Sequence, residues 1–255
     1  MTVHELYQYL DERIPRALSL PWDNDGLMCC PDGARAVHRV LVSLDVTDKV
    51  VDRAIEGNYD VILSHHPLIF KGIKALDGED PVSAKSLSLI RAGVAVMSFH
   101  TRLDAVHGGV NDLLCLLLGI ADAEPFGENG EAVGRIGTLA RETTALEFAK
   151  TVKEVLGAPA VWVADAGKPV RRVAVLGGSG GDDVAAARAA GADTYLSGTL
   201  GYHDMTEAAA LGINLLEAGH FYTENPVTGV LRELVLGADE TVVCDCMLES
   251  AIACV

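Results

Sequence analysis

Residues 39–64 read RVLVSLDVTDKVVDRAIEGNYDVILS. A β-branched run over 39–45 comes first. An acidic segment follows, in which Thr47 or Asp48 is placed to cap a helix, and then a glycine and a second apolar run, 59–64. Strand, helix, strand in so short a span is the pattern of a parallel βαβ unit. Residues 172–198, RVAVLGGSGGDDVAAARAAGADTYLSG, repeat that order. The pair predicts an α/β protein built from two related α/β domains.

The flanking sequence extends the alternation. Thr2 and Glu5 form a capping box before a first helix, and Asp80 with Pro81 opens another that runs to Gly93. VAVMSF (94–99) reads as a strand and VNDLLCLLLG (110–119) as a buried helix. The stretch 121–131 is polar and rich in turn formers, which predicts a boundary near 125. The expected domains are 1–125 and 126–235, with a C-terminal strand over about 236–255 returning to the first. In the second half, Thr143 or Thr144 with Glu147 is expected to cap a helix. Asn225 and Pro226 are expected to cap and open the last one.

Composition narrows the function. At 255 residues and 49% hydrophobic, the chain can bury a real core. Its net charge of −16 repels phosphate backbones, so nucleic acid is an unfavourable partner. No apolar run approaches the roughly 18 residues of a membrane span, and MTVHELYQYLDER lacks an apolar signal core. Six cysteines, Cys29, Cys30, Cys115, Cys244, Cys246 and Cys254, include no C-x-x-C pair and read as thiols of a reducing cytosol. The expected location is cytoplasmic.

Three polar clusters follow three strands. His65 and His66 end VILSHHPLIF (61–70), His100 and Asp104 lie in HTRLD, and His220 and Glu224 lie in HFYTE. Ligand sites of open α/β sheets form beyond the carboxyl ends of strands. Neighbouring side chains on a strand point to opposite faces, so two adjacent imidazoles serve one site only where the strand stops; Pro67 stops it. Imidazole and carboxylate donors together suit Zn, Mn, Fe, Co or Ni. The surplus over one catalytic ion points to two divalent transition-metal ions sharing a carboxylate, with Asp104 the expected bridge.

Other motifs carry less. GGSGGD (177–182) is either an anion-holding loop at a helix start or a tight βα turn. His203 in GYHD is either a proton-transfer group in a turn or a solvent-facing neighbour of a capping Asp204. Trp22 and Asp23 suggest a rigid turn, with part of the pocket lining as the alternative, and His107 a turn residue.

WDNDGL, LDVT, SHHPLIF, HTRLDAVHGGVND, SGTLGYHD and EAGHFYTE occur in this order. Together they resemble the Nif-three-like, YbgI-type family of dinuclear metal centre proteins, often labelled GTP cyclohydrolase I type 2 homologues. The resemblance runs from about residue 5 to residue 235. It implies metal ligands at His65, His66, Asp104, His220 and Glu224, with His100 near the metals. It also implies a toroidal homohexamer whose metal site lies at strand ends between the two domains. Arg102 departs from the family pattern and is expected to put a cation beside the site. Two functions follow. One is a metal-dependent hydrolase acting on a nucleotide or related small molecule, with His203 and His100 moving protons. The other is a non-catalytic metal-binding scaffold, adaptor or storage ring.

Overall fold

Capping chemistry sets the helix starts. In the structure, a computed structural model that describes residues 1–127 and 132–253, Thr2 accepts from the Glu5 N–H. Glu5 returns a 2.8 Å bond to the Thr2 N–H, opening α1 (Val3–Arg13). Thr47 caps α2 (Asp48–Glu56), and Asp80 caps α3 (Pro81–Ala92) with Pro81 in the first turn. Gly93, at φ 73°, ends α3 in the left-handed conformation that suits glycine. Thr144 caps α6 (Ala145–Leu156) by accepting from the Glu147 N–H.

Met1–Leu103 and Val227–Ala253 form one compact unit. Its sheet runs in the order β1 (Gly26–Cys29), β4 (Ala95–Ser98), β3 (Val61–Ser64), β2 (Arg39–Ser43), β11 (Val243–Met247). The last four are mutually parallel, and β1 lies antiparallel at the edge. β3 and β4 are buried at every position, as strands covered on both faces require. Leu41, Ile62 and Val96 pack there with Val51, Ala54 and Leu89. Ser43, Ser64 and Ser98 share one register row at the carboxyl ends, so whatever follows these strands emerges side by side. α10 (Val227–Ala238) belongs to this unit as well.

Asp104–Pro226 form the second unit. The short α4 (Thr101–Ala105) carries the chain into it, and α5 (Val110–Leu117) follows. Its sheet order is β5 (Ile120–Phe126), β6 (Gly134–Thr143), β8 (Val170–Ser179), β9 (Thr194–Thr199), β10 (Asn214–Glu217), β7 (Trp162–Ala164). β8, β9 and β10 are parallel and the other pairings antiparallel. Its core joins Ile136, Ala174, Leu176, Tyr195 and Leu215 with Val184 and Ala187 of α7 (Val184–Ala189). The two repeated sequence stretches thus each supply a pair of adjacent parallel strands, β2 with β3 and β8 with β9.

Two local expectations differ from the structure. The polar stretch from 121 is strand, not turn, as far as Phe126. β5 is a sheet edge with only its end residues buried, so its polar side chains face water. Residues 128–131 of that stretch lie outside the described residues. Asn225 does not cap the last helix. Its N–H bonds Phe221 O at 2.8 Å to close α9 (His220–Glu224), and its backbone is helical at φ −54°, ψ −31°. Among the described residues, no helix is long and apolar enough to cross a membrane.

A candidate metal centre

The first unit brings three imidazoles together. His65 and His66 leave the end of β3, and His100 leaves the end of β4, the neighbouring parallel strand. The His65 ring lies 4.9 Å from that of His66 and 5.3 Å from that of His100, centroid to centroid. His65, His66 and His100 each offer one ligand atom within 4.8 Å of the others. Adjacent residues meet here because the ladder ends at Ser64, whose hydroxyl turns back to donate to His66 O at 2.8 Å.

Each ring is held through Nδ1. His65 Nδ1 lies 2.9 Å from Phe99 O, His66 Nδ1 2.7 Å from Asp45 Oδ1, and His100 Nδ1 2.9 Å from Asp23 Oδ1. A carbonyl or carboxylate oxygen accepts only, so each Nδ1 carries a proton, and the neutral ring then ligates through Nε2. An outer acceptor that fixes tautomer and ring plane is how metal-ligating histidines are supported. The donor set fits a borderline divalent ion. Burial alone raises the Asp23 pKa. Hydrogen bonds from His100 and Thr101 outweigh it and hold Asp23 down to about 2, ionised beside its histidine.

Arg102 does not serve this cluster. It is fully buried, with Nε 2.9 Å from Asp25 Oδ2 and Nη1 2.5 Å from Asp11 Oδ1. The same Nη1 donates to Ile14 O at 2.9 Å. The expected cation beside the site is instead an internal tie. Asp25 in turn accepts from the His100 N–H at 3.2 Å, so the tie steadies the loop that carries the histidine.

The second unit holds the remaining candidates. His220 and Glu224 stand one turn apart on α9, with Nε2 3.0 Å from Oε2. Glu224 is buried, and three glycines let α9 come down on the sheet. A Cβ on Gly178 would stand 2.1 Å from Glu224 Oε1. One on Gly198 would stand 2.5 Å from Thr223 Oγ1, and one on Gly177 3.3 Å from Glu224 Cγ. Gly177 and Gly178 of the GGSGGD run therefore serve packing against α9. Asp104, on α4, is also buried. Its carbonyl accepts from Asn111 Nδ2 at 3.3 Å, while Asn111 Oδ1 accepts from the Gly177 N–H at 2.8 Å.

His203 lies in the first turn of α8 (Tyr202–Leu211), not in a connecting turn. It is exposed, with the Tyr202 ring 5.7 Å away, and Asp204 accepts from the Gly201 N–H at 3.1 Å. His107 is solvent-facing and pairs with Asp112 at 2.7 Å. Residue reading missed the roles of Asp45 and Asp23. The usable signal for Asp45 was an acid directly after β2, level with the histidines after β3.

An α/β chain of two sheets, with histidine and glutamate groups able to hold a metal ion, is the class that fold and site define. The chain belongs to the Duf34/NIF3 (NGG1p interacting factor 3) family, whose model matches residues 1–247. A Clostridium perfringens relative named GTP cyclohydrolase 1 type 2 homolog is 32% identical over 241 residues, covering 92% of this chain and 91% of its own. The Schizosaccharomyces pombe Protein NIF3 homolog is 34% identical over 229 residues, covering 84% and 80%. The crystal structure of Staphylococcus aureus hypothetical protein SA1388 shares the fold, with a TM-score of 0.89 at 24% identity, covering 100% of this chain and 99% of that one.

Proposed function

We propose that the chain is a dinuclear metal-dependent hydrolase acting on a nucleotide or related small molecule. His65, His66, Asp104, His220 and Glu224 hold two divalent ions drawn from Zn, Fe, Mn, Co and Ni. The observation that carries this reading is the cluster of His65, His66 and His100, which each offer a ligand atom within 4.8 Å of the others, with each ring oriented by an oxygen beside its Nδ1. Such ions supply Lewis acidity and acidify water for attack on an electrophilic carbon or phosphorus. His100, held by Asp23, is placed to move a proton, and His203 is the second proton carrier in this reading. The relatives' name, GTP cyclohydrolase 1 type 2 homolog, supports a nucleotide substrate. The assembly is a cytoplasmic homohexamer; the five described cysteines, all free thiols, accord with a reducing compartment.

A metal-binding hexameric scaffold, adaptor or storage protein is the second reading. One observation favours it: Arg102 is tied to Asp11 and Asp25, and Lys71 and Lys74 lie exposed, so none of these three forms a built triphosphate pocket.

Metal analysis of chelator-free protein, followed by a hydrolysis screen of nucleotides with the metal-loaded chain, tests the proposal. More than one ion per chain and a turnover lost in His66→Ala support the hydrolase. Bound metal with no turnover on any nucleotide leaves the scaffold. Absence of metal under all loading conditions refutes both.

A further inference from the structure

Beside the histidine cluster stand two large apolar rings open to water, Trp22 at 58% and Phe70 at 46% exposure. A single exposed aromatic is ordinary; the grouping of these two is not. Their centroids are 6.0 Å apart with planes at 73°. The His100 ring lies 6.2 Å from Trp22 and 6.0 Å from Phe70, at 74° and 87°. Three steeply inclined rings thus meet edge to face beside the histidine cluster, two of them open to water.

Hydrogen bonds hold the segments that carry these rings. Leu20 N–H donates to Thr101 Oγ1 at 3.0 Å on one side of Trp22, and Asp23 on the other side is bonded to His100 and Thr101. Asn24 Nδ2 donates to Ile69 O, which ties the Trp22 turn to the loop bearing Phe70. Holding recognition groups in their bound positions lowers the entropy cost of association. Directly after Phe70 comes Lys71, exposed, with Lys74 three residues on. In a chain of net charge −16, cations flanking an exposed ring favour a ligand that joins a planar ring to an anionic tail.

We propose that Trp22 and Phe70 form a stacking platform for the base of a nucleotide ligand, with Lys71 meeting its phosphate, and that the platform sets the substrate class of the His65–His66–His100 site. The inference rests on the hydrolase reading for the fate of the ligand, but not for its binding. Stacking suits any heteroaromatic base because each has a π-face, so the platform selects planar rings over sugars without choosing sharply among bases.

The chain has two tryptophans, Trp22 and Trp162, so Trp162→Phe leaves Trp22 as the sole indole reporter. Full-length W162F, metal-loaded and chelator-treated, is titrated with guanosine 5′-monophosphate and with ribose 5-phosphate, and metal content is measured in parallel. Saturable quenching by the nucleotide alone is expected, with Phe70→Ala in the same background weakening the apparent Kd roughly tenfold or more. Equal quenching by ribose 5-phosphate, no saturable quenching, or an unchanged Kd in F70A overturns the proposal. A Trp22→Ala variant that changes the oligomeric state, in a protein whose Trp22 ignores the nucleotide, also overturns it and makes the rings an interface between copies. Quenching without metal uptake supports the platform and removes the hydrolase reading; metal uptake without quenching does the reverse.

Discussion

Arg102→Ala separates two roles for one arginine. As a cation serving the site, the residue would affect binding and leave stability nearly untouched. As an internal tie, its loss must destabilise the fold. Removing one partner of a buried ion pair costs about 3–5 kcal/mol, because the other charge is left uncompensated. Here the left-over charges differ. Asp11, at 36% side-chain exposure, recovers water and contributes little. The Asp25 side chain has no exposure and loses a 2.9 Å guanidinium contact, though Arg16 and Ser19 still reach it. Ile14 O loses a donor, and Phe99 loses the guanidinium over its ring at 4.3 Å. The remaining partners argue for the low end, about 3 kcal/mol, which is roughly a hundredfold in the folding constant. Arg102→Lys keeps a charge but cannot bond both carboxylates, so its loss should fall between Ala and wild type. Urea unfolding followed by circular dichroism, with the slope checked for constancy, reads the difference. Should Arg102→Ala unfold within about 0.5 kcal/mol of wild type while nucleotide or metal binding weakens, the guanidinium serves the site after all.

Asp45→Ala and Asp23→Ala each remove the acceptor that orients one imidazole. Asp45→Ala should weaken metal affinity roughly ten- to a hundredfold in a competition titration with a chromogenic chelator, and an unchanged affinity would remove Asp45 from the site. Asp23→Ala, which frees the proton-carrying His100 rather than a ligand, should spare that affinity and lower turnover. Gly178→Ala places a Cβ 2.1 Å from Glu224 Oε1 at a residue with φ +71°. It should lower stability by more than about 1 kcal/mol and reduce metal content. A fully loaded, equally stable variant would mean that α9 is not seated by these glycines. The Cys115 thiol is buried and pushed up to about 12, chiefly by desolvation and then by the Asp112 charge. At pH 8 almost none of it is thiolate, so iodoacetamide should label the half-exposed Cys30 before Cys115 and reach Cys115 only on unfolding. Mass mapping of early adducts at Cys115 would contradict its burial.

What the sequence made legible was whatever rests on local chemistry. Thr2 with Glu5, and Asp80 with Pro81, announce helix starts because the capping partners are three residues apart or fewer, and the structure uses both. The α/β class followed from two βαβ stretches whose buried strands are too apolar to be surface. What was hidden depends on neighbours brought in by the fold. β5 was unreadable because an edge strand with polar side chains has the composition of a loop. Asn225 followed by proline carries the chemistry of a helix start, yet its N–H closes the previous helix.

The candidate site divides along the same line. His65, His66 and His100 were legible because imidazoles just past strand ends stand out against an apolar run. Their supports were not, since Asp45 lies 21 residues from His66 and Asp23 lies 77 from His100. Only the parallel pairing of β2 with β3, and the run of the 20–25 loop under Thr101, brings each carboxylate to its ring. Arg102 shows the opposite error. A guanidinium two residues from His100 looks like part of the site, but the side chains before and within the first turn of α4 point in different directions. Arg102 turns inward to Asp25, while the His100 ring faces Asp23, Trp22 and Phe70. Asp25 then couples the two, accepting from Arg102 on one side and from the His100 N–H on the same oxygen. Proximity in sequence put the arginine in the right motif; the hydrogen bonds decide that it acts on the histidine's backbone rather than on a ligand.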